Sequence, residues 1–137
     1  GEAFHKRRCL VPADGFYEWN KDKSLKDRQP WRIVDPERPA FAFAGIWEGW
    51  RNPEGEIIRS FDIITTSANE KLSHVHDRMP VMLKAEDEDA WLDPGNAEPK
   101  LLSVLAPYDP GKTELYRVDS RVNSAKNDDP ECLNRLD

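Results

Sequence analysis

The chain has 137 residues, of which 38% are hydrophobic and 34% charged, and its net charge is −6. This length fits a single domain over residues 1–137, and a chain of this size buries roughly two thirds of its unfolded surface, so it needs no disulfides to fold. No apolar run approaches the roughly 20 residues that a membrane-spanning helix requires, and no signal peptide is recognisable. We therefore expect a cytoplasmic protein without a membrane partner.

The negative charge is concentrated towards the C-terminus. Residues 1–38 contain nine Lys and Arg against seven Asp and Glu, a net +2, whereas residues 84–137 contain seven against thirteen, a net −6. The basic cluster at residues 5–8 is short. Long-range steering of a polyanion by the whole molecule is therefore not expected, while local contacts to phosphates stay open.

The first third of the chain predicts short strands. Residues 8–11, ending at Pro12, residues 15–19 and residues 31–34 are rich in β-branched and aromatic side chains, and a polar loop spans residues 20–30. In the second of these strands, Phe16 and Glu18 fall on one face because side chains alternate along a strand.

The middle of the chain predicts a hairpin followed by a helical turn. Residues 40–47 and 56–66 are strand-like and flank a loop with Asn, Pro and Gly at residues 52–55. Ser67 and Glu70 have the spacing of a capping box, which predicts a short helix ending near His74.

The last third predicts two helices and one strand. Residues 81–83 are extended, acidic residues at 86–89 open a helix, residues 100–105 form a second short helix, and residues 116–118 form a late strand. From residue 123 onward the chain is polar and predicted to be irregular.

Glu18 is the first candidate for chemistry. A carboxylate on a buried strand face costs free energy unless it is paired or has a function, and burial would raise its pKa towards the range of a general acid or base. The alternative is a solvent-facing Glu18, with Tyr17 and Trp19 turned to the core.

The second candidate is the turn that contains His74, His76, Asp77 and Arg78. Imidazole titrates near neutral pH and serves proton transfer, and a guanidinium suits phosphate. A metal site would need further ligands, and neither Cys9 nor Cys132 has metal-ligand spacing. A helix end with an Asp–Arg pair is the alternative.

Four blocks, in order, resemble the SOS-response-associated peptidase (SRAP) family. They are RCLVPADGFYEW at residues 8–19, FAGIW at 43–47, IITT at 63–66 followed by HDRMPV at 76–81, and VNS at 122–124. The resemblance implies an α+β fold with a mixed or antiparallel β-barrel core flanked by short helices.

The resemblance also implies a function. Such proteins bind single-stranded DNA and crosslink abasic sites through an N-terminal Cys, whose amine and thiol form a thiazolidine with the sugar aldehyde; they also have thiol autopeptidase activity. The implied acid–base residues are Glu18 and His76, with Thr65 lining the site and Trp19 and Arg78 contacting DNA. No cofactor or metal is implied, and the expected location is cytoplasmic and nucleoid-associated.

The sequence departs from the family at its start. It begins with residues 1–4, Gly-Glu-Ala-Phe, where the resemblance implies Met-Cys. We therefore expect an N-terminally incomplete SRAP domain that holds the acid–base residues without the nucleophile and forms no adduct alone. The missing segment or a partner chain would complete the fold.

Two other functions stay open from the residues. One is a non-catalytic module that binds single-stranded DNA. The other is a metal-dependent hydrolase using His74, His76 and Asp77.

Overall fold

The computed structural model describes residues 1–22 and 28–136, so most of the predicted polar loop at 20–30 lies outside the described residues. The chain divides into two compact units. The first unit contains Gly1–Ala13, Phe41–Thr66 and Pro80–Tyr108, and the second contains Asp14–Ala40, Ser67–Met79 and Asp109–Asp137. None of the described helices is long and apolar enough to cross a membrane.

Nine short strands and three short helices make up the regular structure of the described residues. The strands are β1 Arg8–Ala13, β2 Phe16–Trp19, β3 Pro30–Val34, β4 Phe41–Arg51, β5 Ile57–Ile63, β6 Thr65–Ser67, β7 Arg78–Pro80, β8 Met82–Leu83 and β9 Glu114–Arg117. The helices are α1 Glu2–Lys6, α2 Ala85–Leu92 and α3 Glu98–Ser103. Single 3₁₀ turns span Leu72–His74, Pro110–Lys112, Ser120–Asn123 and Pro130–Leu133. Strands β6 and β7 pair with each other.

The first unit is built on strand β4, which pairs antiparallel with β1, β5 and β8. Its core lies against this sheet and contains Ala44, Val81, Leu83, Trp91, Leu101 and Val104. Trp91 of α2 is fully buried, and its indole N–H donates to the carbonyl of Cys9 at 3.0 Å. Full burial of one such side chain stabilises a fold by about 1.5–3 kcal/mol, so α2 is held to the sheet mainly by this residue.

The second unit is built on the antiparallel sheet β2-β3-β9. Arg32 of β3 is only 6% exposed, and its guanidinium donates to the Asp14 carboxylate at 2.9 Å and lies 5.4 Å from the ring centre of Tyr17. Burial raises the pKa of the Tyr17 hydroxyl, and the Arg32 charge opposes that rise. The strand that ends at Glu18 and Trp19 is thereby fixed to β3 through a buried cation as well as through its backbone.

The predicted strands at the start of the chain, the hairpin, the helix at 86–92 and the late strand are confirmed as elements, and the α+β composition is confirmed with them. The β-barrel core is not supported. Among residues 1–22 and 28–136 the strands form separate open sheets and no closed barrel, because the outer strands β1 and β5 each pair only with β4.

Two local predictions were wrong. Strand β1 does not end at Pro12 but continues to Ala13, since Pro12 lies in an outer strand, where a missing backbone N–H is tolerated. The capping box does not form, because Ser67 belongs to β6 and the following turn is a short 3₁₀ turn at Leu72–His74 with no helix around it.

Gly15, between Asp14 and β2, has no room for a side chain. A Cβ atom there would lie 2.8 Å from the carbonyl oxygen of Ile33 and 2.7 Å from the Arg32 guanidinium. We predict that Gly15→Ala lowers the free energy of unfolding by about 1–3 kcal/mol, the usual cost of overpacking.

Urea unfolding of the two proteins measures this difference. Gly49→Ala is the matched control, because a Cβ there meets nothing closer than 3.8 Å. Equal stability of the Gly15→Ala variant and the parent protein would contradict the steric argument.

Candidate functional site

The turn that carries the HDRMP segment is fastened by the buried amide of Asn69, which is 5% exposed. Its Oδ1 accepts from the Leu72 N–H at 3.0 Å, its Nδ2 donates to the Thr113 hydroxyl at 3.1 Å, and its backbone N–H donates to the Met79 sulfur at 3.3 Å. Lys71 adds a bond from its ammonium to the Thr113 carbonyl at 2.8 Å. The residues between 69 and 79 are thus fixed at both ends.

Lys21 joins the end of β2 to this turn. Its backbone N–H donates to the Val75 carbonyl at 3.0 Å, and its ammonium contacts the Asp77 carboxylate at 2.5 Å. The hydrogen bond from Lys21 lowers the pKa of Asp77 below its ordinary value, and the charges of Lys21 and His76 act in the same direction. The two segments predicted to carry the site are therefore neighbours within one unit.

Glu18 lies opposite Trp31 in the β2–β3 register and is half-buried. Directly opposed residues of an antiparallel pair point to the same face of the sheet. Trp31 also lines a cavity of about 760 Å³ together with His74 and Val75. Glu18 therefore lies on the same face of the sheet as Trp31, and its Oε1 accepts from the Trp19 backbone N–H at 3.2 Å.

His76 has two competing partners at the same ring nitrogen. Nδ1 accepts from the Arg78 backbone N–H at 3.1 Å and lies 3.3 Å from an oxygen of the Asp77 carboxylate. A nitrogen with a lone pair suits the Arg78 amide, whereas a nitrogen carrying a proton suits the carboxylate. Each protonation state of the imidazole thus has a partner within reach, and the ring remains partly exposed.

A polar cleft of about 370 Å³ opens at this place. Its lining comes from the end of β2 and from the turn: Asn20, Lys21, Asp22, Ser73, His74, Val75, His76 and Asp77. This size is within the range of small-ligand sites. The imidazole of His76 therefore borders an open cleft.

Trp19 and Arg78, the predicted DNA contacts, belong to the same unit. The Trp19 indole N–H donates to the Asn123 amide oxygen at 2.6 Å, which fixes the orientation of the ring. Arg78 is exposed at the start of β7. Asn123 lies in the VNS block, yet sequence reasoning gave it no role; Lys21 and Asn69 had no sequence signal beyond their polarity.

Thr65 begins β6 in the first unit, whereas Glu18, Trp19, His76 and Arg78 lie in the second. Its predicted position beside the site stays a prediction, as does the single domain over residues 1–137. The catalytic roles of Glu18 and His76 and the DNA contacts of Trp19 and Arg78 also stay predictions.

The two cysteines of the chain are reduced in the structure. Burial raises the pKa of the Cys9 thiol in strand β1 above its ordinary value. Among residues 1–22 and 28–136, no three His, Cys, Asp or Glu side chains form a group that could hold a metal ion. His74, His76 and Asp77 therefore do not form the metal site that a hydrolase would need.

The chain belongs to the SOS response associated peptidase (SRAP) family, which matches residues 1–125. It is 48% identical over 128 residues to the abasic site processing protein YoqW of Bacillus subtilis, covering 93% of this chain and 57% of that protein. It is 33% identical over 153 residues to the abasic site processing protein HMCES of Rattus norvegicus, covering 93% of this chain and 43% of that protein.

A crystal structure of a protein from Bacteroides thetaiotaomicron has the same fold. The two structures superpose with a TM-score of 0.89 at 31% identity, over 98% of this chain and 59% of that one. The chain thus spans about half the length of the relatives it matches.

The Lys21–Asp77 ion pair predicts an acid-sensitive contact. Because the pKa of Asp77 is lowered in the folded state, the pair stabilises the protein at pH values above about 4, and the stabilisation is lost as the pH falls through the folded-state pKa. We expect Lys21→Met to raise the pKa of Asp77 towards its ordinary value, as measured by NMR titration of the carboxyl carbon.

Lys112→Met is the control, because Lys112 is an exposed lysine of another turn. If Asp77 titrates at the same pH in the parent protein and in Lys21→Met, the ion pair does not exist in solution.

Proposed function

We propose that this chain forms the proton-transfer and DNA-facing part of an abasic site processing protein that crosslinks to abasic sites in single-stranded DNA. The observation that carries the proposal is the bond from Lys21 to Val75, which places the β2 segment containing Glu18 beside the turn containing His76. Membership of the SRAP family and the names of two relatives support the same reading. As a DNA-binding protein, it would be located at the nucleoid.

The chemistry needs a proton donor and a proton acceptor. An amine adds to the aldehyde of the ring-opened abasic sugar to give a carbinolamine, which loses its oxygen as water and leaves an imine. A thiol then adds to the imine carbon and closes a thiazolidine. One proton has to reach the carbinolamine oxygen, and one has to leave the nitrogen, and positioned acids and bases speed such steps by about 10²–10⁴-fold each.

His76 is suited to both directions of transfer. When the Nδ1–H group donates a hydrogen bond to the Asp77 carboxylate, the Nε2 lone pair is free to accept a proton from the amine. The resulting imidazolium carries a proton on Nε2 that it can give to the carbinolamine oxygen. Asp77 holds the ring in this tautomer, while the Arg78 amide stabilises the alternative neutral form.

Glu18 is the second proton carrier of the proposed mechanism. Its carboxyl group is half-buried on the face of β2 that it shares with Trp31, so it stays accessible to a substrate. Opening of the sugar ring moves a further proton, and this carboxyl group accepts or returns it.

The nucleophile of the proposed reaction is the N-terminal cysteine that the family resemblance implies. Neither cysteine of residues 1–137 fits, because Cys9 lies in strand β1 and Cys132 in a 3₁₀ turn, and neither has a free α-amine. The same thiol would account for the peptidase activity in the family description.

Trp19 and Arg78 are the proposed contacts to the strand next to the lesion. A base stacks on an indole ring that is already held in one orientation by Asn123, so little rotamer freedom is lost on binding. The exposed guanidinium of Arg78 contacts a phosphate.

Incubation of the protein, in the form its gene encodes, with single-stranded DNA containing one abasic site tests the proposal. We expect a covalent product on a denaturing gel. His76→Ala and Glu18→Gln each slow its formation by about 10²–10⁴-fold, the usual contribution of a general acid or base, while binding of undamaged DNA is unchanged.

His74→Ala is the matched control, since His74 is an exposed imidazole two residues away, and it should react at the parent rate in the presence of EDTA as well. Binding of the abasic strand without any covalent product would instead identify a non-catalytic DNA-binding module. Equal loss of rate in His74→Ala and His76→Ala would contradict the role given to His76.

A further inference from the structure

Strands β4 and β5 extend beyond the rest of their sheet as a two-stranded hairpin. Strand β1 pairs with β4 only as far as Ile46, opposite Arg8, whereas the pairing of β4 with β5 continues from Gly45 to Arg51. Residues 47–51 and 57–61 are all exposed. Both faces of this hairpin are therefore open to a ligand.

The register sorts the exposed residues onto two faces, because directly opposed residues point the same way and successive residues alternate. The pairs Trp47–Phe61, Gly49–Arg59 and Arg51–Ile57 form one face, called the Trp47 face. The pairs Glu48–Ser60 and Trp50–Ile58 form the other, called the Trp50 face.

The Trp47 face combines flat apolar side chains with unpaired positive charge. Trp47 is 37% exposed, Phe61 58% and Ile57 59%. Arg59 makes no ion pair with any described residue, and the Arg51 guanidinium donates to the Gly55 carbonyl at 2.7 Å, an uncharged partner. Within residues 47–51 and 57–61 this face carries no carboxylate; Glu54 and Glu56 belong to the loop beyond.

Gly49 keeps the middle of the face open. A Cβ at this position would lie 3.8 Å from the Trp47 ring and 3.9 Å from Cγ of Arg59, so these two side chains border a bare stretch of backbone. A planar group can approach the sheet here and contact the indole and the guanidinium together.

We propose that the Trp47 face binds single-stranded nucleic acid by stacking bases on Trp47 and Phe61 and placing phosphates at Arg59 and Arg51. Successive pairs along the hairpin are about 7 Å apart, twice the rise per residue of a strand, so a polynucleotide laid along it meets an aromatic pair and then two basic residues. Proteins that bind single strands without sequence preference commonly use aromatic rings next to basic side chains. The choice of nucleic acid as partner rests on the proposed function; the residues are separate from Glu18 and His76.

A second copy of the chain fits the Trp47 face less well. In a two-fold contact each copy presents the same patch, so Arg51 and Arg59 of both chains would be buried together without a carboxylate on either side. Phosphates supply the missing negative charge. The Trp50 face lacks this character, because Glu48 lies on it and already pairs with Arg7 at 3.1 Å.

Fluorescence anisotropy of a labelled, undamaged oligothymidine titrated with the full chain tests the proposal. We expect Phe61→Ala to weaken binding by about 5- to 150-fold, the range for loss of one stacked base, and Arg59→Gln to reduce the slope of log affinity against log salt concentration by about 0.7. Trp50→Ala is the matched control, because Trp50 is 55% exposed on the opposite face of the same hairpin, and its affinity should equal that of the parent chain.

Three results would overturn the proposal: no binding by the parent chain, equal affinities of Phe61→Ala and Trp50→Ala in chains with unchanged melting temperature, or a chain dimer that Phe61→Ala dissociates. The outcome is separable from the proposed function. If Phe61→Ala binds undamaged DNA as the parent does and forms the abasic-site adduct at the same rate, the Trp47 face is not a binding surface, but the crosslinking function stands. If binding depends on Phe61 but the protein forms no adduct, the crosslinking function is refuted, but the binding surface stands.

Discussion

The buried amide of Asn69 is the constraint on which the candidate site depends. Between Asn69 and the start of β7 at Arg78, the only regular structure is one 3₁₀ turn, so this part of the backbone has few repeating hydrogen bonds to fix it. Instead, Asn69 forms hydrogen bonds with the Leu72 N–H, the Thr113 hydroxyl and the Met79 sulfur. A buried polar group that satisfies its hydrogen bonds in this way gives a single conformation, which the proposed proton transfer requires.

With the turn fixed by Asn69, further contacts set the position of the His76 imidazole. Lys21 binds the turn through Val75 and Asp77, and Asp77 in turn faces the Nδ1 atom of His76. The ion pair is exposed, so it contributes orientation more than stability. His76 itself is half-buried, and its Nδ1 lies within reach of both the Arg78 amide and the Asp77 carboxylate.

Sequence patterns predicted the elements better than their ends. Alternation and turn residues were enough for the β4–β5 hairpin and for β2, because these signals are local. Ser67 and Glu70 had the spacing of a helix cap, but Ser67 belongs to β6, which pairs with β7 at Arg78–Pro80, well beyond the local window of the pattern. The Trp19–Asn123 bond joins positions 104 apart, and no local pattern could have indicated it. That Glu18 and His76 share one site is a prediction that comes from the family resemblance, because spacing alone left both without a partner.

A crystal structure of the protein bound to single-stranded DNA with an abasic site would show whether Glu18 and His76 both reach the lesion. We expect the carboxyl group of residue 18 and Nε2 of residue 76 both to lie within about 3.2 Å of the reacting oxygen or nitrogen at the lesion, the reach of a direct proton transfer. A complex in which either side chain is turned away from the sugar, with no water bridging the gap, would contradict it.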